Sequence, residues 1–173
     1  MARAVSDGVE IEYEADGDAD APAILMIHGY GGQLIMWPPT LVDGLVERGF
    51  FVVRIDNRDA GLSSKFEGRP QYDLRDMSLD GLRVLDALAI ERAHVVGLSL
   101  GGCIAQRTAI DFPERVSSLT LISSPTGSPD TPGPEPQAAA ALFAPAPTAR
   151  AAYIEHNANL TSVISGPLFD EAA

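Results

Sequence analysis

Apolar and acidic residues alternate over residues 9–13, the two-residue period of a strand with one wet face. Residues 16–20 are a polar turn, and residues 23–27 are apolar without a break, which predicts a strand buried on both faces. That run empties into the glycine-rich loop His28-Gly29-Tyr30-Gly31-Gly32. Leu41, Leu45 and Val46 then recur at helical spacing up to Gly49, a helix stop, and residues 50–55 form the next apolar run, closed by Asp56. Strand, helix, strand then repeats. Leu79, Leu82, Val84, Leu85 and Leu88 mark an amphipathic helix, and Val95-Val96 a short strand that runs into Gly97-Leu98-Ser99-Leu100-Gly101-Gly102. A helix with its apolar face over residues 104–110 ends before Pro113, and residues 116–122 are one more strand. Strands alternating with helices predict an α/β fold, a mostly parallel sheet with helices on both faces.

The pattern stops after Ser123. Residues 125–136 hold five prolines in twelve positions, and residues 138–152 are alanine-rich with two more. The reading is a core over residues 1–124, then a loop and short helices over 125–173, with residues 149–160 the best helix.

The segment after the strand at Val95-Val96 carries the chemistry. Gly97-Leu98-Ser99-Leu100-Gly101 fits the G-x-S-x-G elbow, in which a strand turns so sharply into a helix that the serine sits on strained backbone with its Oγ exposed. Side chains at the two glycines would collide inside that turn. The preceding strand and following helix favour Ser99 as a nucleophile over a plain helix cap. At a helix N-terminus it also lies among N–H groups aimed at the reaction centre. The N–H of Leu100 is one expected oxyanion donor, and the N–H of Tyr30, directly behind His28-Gly29, is the second.

Three motifs now stand in order: Ile27-His28-Gly29-Tyr30-Gly31-Gly32, Asp56-Asn57-Arg58-Asp59-Ala60-Gly61-Leu62-Ser63, and the elbow that follows His94-Val95-Val96. With them the chain resembles the α/β-hydrolase fold family, serine-nucleophile branch, and the middle motif looks like the branch that includes aclacinomycin methylesterase. The resemblance implies an N-terminal part only: a hydrolase core lacking its C-terminal strands, with a helical lid starting near Pro125. It implies that the triad acid and base follow in the order Ser, Asp or Glu, His, on later strands, which puts them beyond residue 173. It assigns His28 to loop-shaping hydrogen bonds. Gly29 and Trp37 are expected to line the substrate pocket, although Trp37, like Met36, would serve equally as helix packing.

Of the three histidines, His94 lies five residues before Ser99 on an extended strand, about 16 Å away at the other end of the sheet. His156 falls in the expected lid helix, where a solvent-facing ring is the commoner outcome. Asp56 and its Asp-x-Arg motif suit pinning of their own loop, through Arg58 with Asp59, and Cys103, one helical turn past Ser99, suits packing.

Charge and cysteine count narrow the partners. Twenty-four acidic against twelve basic residues give −12, a field that repels nucleic acid and anionic lipid. One cysteine permits no internal disulfide, the first residues have no apolar signal core, and no run approaches the ~18 residues of a membrane span, so a cytoplasmic protein is expected. No metal site and no cofactor are expected; scattered histidines do not cluster as ligands, and Ser99 stands where a dinucleotide fingerprint needs glycine. The expected partner is a small-molecule substrate, with self-association through the open edge of the strand at 116–122. The leading function is a serine hydrolase acting on a small ester or related acyl group. The alternatives are a ligand-binding or partner-binding protein without turnover, and a perhydrolase.

Overall fold

The computed structural model describes residues 2–68 and 71–165. The chain divides into two compact units, Met1–Ser128 and Pro129–Ala173. The end of the expected lid region, residues 166–173, lies outside the described residues.

The first unit is a six-stranded sheet in the order β1-β2-β4-β3-β5-β6, with β1 at Ala2–Ser6, β2 at Val9–Asp16, β3 at Ala23–Ile27, β4 at Phe51–Ile55, β5 at Ala93–Leu98 and β6 at Val116–Ile122. The central strands β4, β3, β5 and β6 are parallel, and β1 and β2 run antiparallel at one side. The α/β hydrolase fold with its mostly parallel sheet is therefore present as expected. β1 is an addition. Its hairpin to β2 turns on Asp7-Gly8, both at positive φ (52° and 77°), and Asp-Gly is the pair that such a two-residue turn favours.

Alternate residues of the buried strands feed two cores. Leu25, Ile27, Val53, Ile55 and Val95 face α2 (Leu74–Ala87) and α3 (Leu100–Asp111), meeting Leu82, Leu85 and Ile104. Ile24, Met26 and Val52 face the other way, onto Trp37 and Val42 beside α1 (Pro39–Val46). Helix α2 begins a full turn before the first apolar residue of its stripe. Asp73 caps it, accepting from the N–H groups of Arg75 and Asp76, while Asp76 accepts from the N–H of Asp73. Those two backbone bonds hold the exposed Asp73 carboxyl below its ordinary range.

The second unit contains α4 (Pro136–Leu142) and α5 (Arg150–Ile164). Neither helix has a fully buried residue.

Candidate active site

Parallel register brings three loops to one edge. Ile27 on β3 lies opposite Ile55 on β4 and Gly97 on β5, so the chain leaves all three strands at the same level. The loop at His28, the loop at Asp56 and the turn at Ser99 are thus neighbours at the carboxyl ends of the strands, where open α/β sheets bind ligands.

Ser99 sits at φ 54° and ψ −117°, outside the regions L residues ordinarily occupy, between the end of β5 and the first residue of α3. Its N–H donates to the carbonyl of Ile122 at 2.9 Å, and its carbonyl accepts from Gly102 at 2.9 Å. Its side chain makes no capping bond to the helix. The capping role that competed with the nucleophile reading is therefore unused. The glycines around it are required by space. A side chain at Gly97 would run into the backbone of Gly101, and one at Gly101 into the carbonyls of Ile27 and His28. Helix α3 can begin this close to β3 only with glycine there. Leu100 is the first residue of α3, so its N–H is among those without an acceptor inside the helix.

The loop after β3 is held from several sides. The N–H of Gly29 donates to His28 Nδ1 at 2.9 Å, the N–H of Gly32 to the Gly29 carbonyl at 3.1 Å, and Asn57 Nδ2 to the His28 carbonyl at 2.9 Å. Burial pushes the imidazole of His28 below its usual pKa, and an acceptor at Nδ1 requires a ring without a proton there. A Cβ at Gly29 would stand 3.2 Å from Ser99 Cβ and 3.7 Å from Oγ, so this backbone and the serine share one small space. Tyr30, the next residue, is 63% exposed.

Asp56 pins rather than reacts. Its Oδ1 accepts from the N–H of Leu34 at 2.7 Å and its Oδ2 from that of Leu62 at 2.8 Å, joining the turn after the His28 loop to the loop after β4. Arg58 does not pair with Asp59, as the sequence suggested. It donates from Nε and Nη2 to the two oxygens of Asp80 on α2, at 2.6 and 2.8 Å, and lies against the rings of Phe66 and Tyr72. Burial works against the Arg58 charge, but the bonds and charge of Asp80 overcome it and hold its pKa above the usual value. Asp59 instead accepts from Phe66 N–H and the Tyr72 hydroxyl. Burial first, and Asp59 next, push the Tyr72 hydroxyl up to about 12.

Trp37, expected either to line the pocket or to pack, is largely buried. Its residue is 4% exposed, packed among Ile24, Met26, Val42 and Val52 with its ring edge-on to His28. The surface a substrate could touch is small, because Leu34–Met36 forms a short helical turn ahead of it and rotates Ile35 and Met36 outward. His94 lies at the opposite end of β5, its Nδ1 2.8 Å from Ser118 Oγ. His156 belongs to α5 of the second unit. Cys103 packs against Ser124. Among the described residues no three His, Cys, Asp or Glu side chains group to hold a metal, and no helix is long and apolar enough to cross a membrane.

A strained serine between a parallel strand and a helix, facing a glycine loop pinned by an aspartate, defines the class, and the family profile described as "alpha/beta hydrolase fold" matches residues 22–162. The chain belongs to the α/β-hydrolase fold family. It is 43% identical over 120 residues to rhodomycin D methylesterase of Streptomyces peucetius, covering 68% of this chain and 40% of that protein. A putative carbamate hydrolase of Variovorax paradoxus is 39% identical over 114 residues, 66% of this chain and 42% of its own length. Among solved structures, a hydrolase from Pseudomonas aeruginosa superposes with a TM-score of 0.69 at 32% identity, covering 98% of this chain and 58% of that one. An N-acyl homoserine lactone degrading enzyme gives 0.70 at 29% identity, over 93% and 56%. The chain therefore spans about two fifths of the length of these curated relatives.

Proposed function

We propose that this chain is the nucleophile-bearing part of a serine hydrolase that cleaves a small ester or related acyl substrate. The observation that carries the reading is the backbone of Ser99, held at φ 54° by the Ile122 carbonyl with no capping bond to its own helix. In the mechanism, Ser99 Oγ attacks the acyl carbon as its proton passes to the triad base, the N–H groups of Leu100 and Tyr30 receive the oxyanion, the acyl–oxygen bond breaks to release the alcohol with that proton, and water then hydrolyses the acyl-serine to give the acid and free Ser99. Gly29 leaves room for the acyl group beside Oγ, where any larger residue would intrude. The acid and base of the triad come, in this reading, from polypeptide outside residues 1–173. It is supported by the commitments of two of the three histidines: His28 Nδ1 accepts from Gly29, and His94 is at the far end of its strand. The relatives named for ester, lactone and carbamate chemistry favour acyl transfer without fixing the substrate.

The test is hydrolysis of p-nitrophenyl acetate by the full gene product and by residues 1–173 side by side. Triad members act as a unit, so the 173-residue chain is expected to be slower by about 10³-fold or more. Ser99→Ala in the full gene product should abolish the difference. Turnover by residues 1–173 at about 1 s⁻¹ or faster would put a base inside them, with His156→Ala the first substitution to make. A difference that survives Ser99→Ala would remove Ser99 from the mechanism.

A further inference from the structure

Twelve residues of the sequence are basic, and of these only Lys65 is a lysine. Its Nζ donates to the carbonyls of Ala60, Gly61 and Ser63 at 2.7, 2.8 and 2.7 Å, which commits all three of its N–H bonds to the loop after β4. An ammonium directs three donors around one centre, whereas a guanidinium holds its five in a plane, so an arginine here could not close on the three oxygens together. The carbonyls surround the side chain as they would a small desolvated cation.

Two of these carbonyls belong to peptide groups that are held at the other end as well. The N–H paired with the Gly61 carbonyl is that of Leu62, which donates to Asp56 Oδ2 at 2.8 Å, so this peptide dipole lies between an ammonium and a carboxylate. The N–H paired with the Ser63 carbonyl is that of Ser64, which donates to the Glu10 carbonyl on β2 at 2.9 Å. Gly61 is at φ 47°, and a Cβ there would run into Asp56 Oδ2, so only glycine lets the loop close this tightly. Asp56 and Asn57 in turn hold the two ends of the loop after β3. Asp56 Oδ1 accepts from the Leu34 N–H at 2.7 Å, and Asn57 Nδ2 donates to the His28 carbonyl at 2.9 Å. Tyr30 lies between those anchors.

We propose that Lys65 is a positioning residue for the reaction at Ser99: its ammonium is a built-in monovalent cation that sets the Gly61-Leu62 peptide and, through Asp56, the loop that offers the Tyr30 N–H to the oxyanion. The proposal rests on the reading of Ser99 as nucleophile and Tyr30 as donor. Because the anchor is a charge held by three oxygens, a free cation of the same kind replaces it once the side chain is cut away. An oxyanion donor acts in the transition state, so the loss without that cation falls on kcat and leaves KM alone.

The test is p-nitrophenyl acetate hydrolysis by the full gene product carrying Lys65→Ala, in ethylammonium, potassium and sodium chlorides at equal ionic strength, with the salt-only rate subtracted. In sodium, kcat is expected to fall by about tenfold or more at a nearly unchanged KM. Ethylammonium and potassium should return most of that loss, and sodium, smaller and more firmly hydrated, should not. Lys65→Met keeps the stem and fills the place with a methyl group, so it should show the same loss with no rescue by any of the salts. Should Lys65→Ala fold only in ethylammonium or potassium, that selectivity is the same result read from folding. An unchanged kcat in Lys65→Ala, a loss of folding or of kcat that no cation repairs or that sodium repairs equally, or full activity in Lys65→Met would overturn the proposal. Ser99→Ala alongside separates it from the reading beneath it: a wild-type rate in that variant would remove the nucleophile, and with it the reaction that Lys65 serves, whatever the salts do.

Discussion

The site is built from residues whose side chains are missing or committed, and the glycines separate space from chemistry. Alanine at Gly101 would gain about 1 kcal/mol of helix propensity, but its methyl would meet the backbone carbonyls of Ile27 and His28, which cannot rotate away. The collision should win, and Gly101→Ala should lose about 3 kcal/mol in urea unfolding. Gly29→Ala meets Ser99 Cβ at 3.2 Å and the Leu98 carbonyl at 3.3 Å, contacts that a shift of a few tenths of an ångström relieves, and should cost only about 1 kcal/mol. Equal losses at the two positions would contradict this division. Much of this was legible in the sequence, because Gly-x-Ser-x-Gly between an apolar strand and a helix suits few turns besides a nucleophile elbow. The burial of Trp37 was less so, since a three-residue helical turn is too short for its buried side to show as a period.

At the scale of elements, the loop after β4 is tied to α2 by one buried ion pair. Arg58 and Asp80 are both almost wholly buried and bond through two nitrogens and two oxygens, so removing one partner strands a charge away from water. Asp80→Ala should cost about 3–5 kcal/mol in unfolding free energy and loosen the loop that Asp56 anchors. Breaking the exposed Arg75 to Asp111 contact, at 3.5 Å, should cost under about 1 kcal/mol. Similar losses for both would mean that burial does not set the value of the pair. The Asp-Asn-Arg-Asp motif announced a pinned loop. It could not name Asp80, because that partner lies 22 residues on, one helix away. The start of α2 was readable from Asp73 and Asp76 as a capping box, and β1 from Asp7-Gly8, though neither has an apolar period to mark it.

For the whole molecule, the order of strands and helices followed from apolar runs, since strands buried on both faces have no polar positions to blur them. What the runs cannot carry is depth. Residues 23–27 and 116–122 both read as strands, yet β3 is sealed in the centre while Leu119 and Leu121 of β6 are 38% and 39% exposed. That sealed centre sets Ser99 against the Gly29 backbone, and the reactivity proposed for this serine can be read directly. Its direct measurement is long incubation of residues 1–173 with a fluorophosphonate, followed by mass mapping of the adduct. With Ser99 as the proposed nucleophile and the Leu100 and Tyr30 N–H groups as the proposed donors, a slow adduct confined to Ser99 and absent in Ser99→Ala is expected. A phosphonyl group spread over other serines such as Ser63 or Ser124, or no adduct at Ser99 in the folded chain, would contradict it.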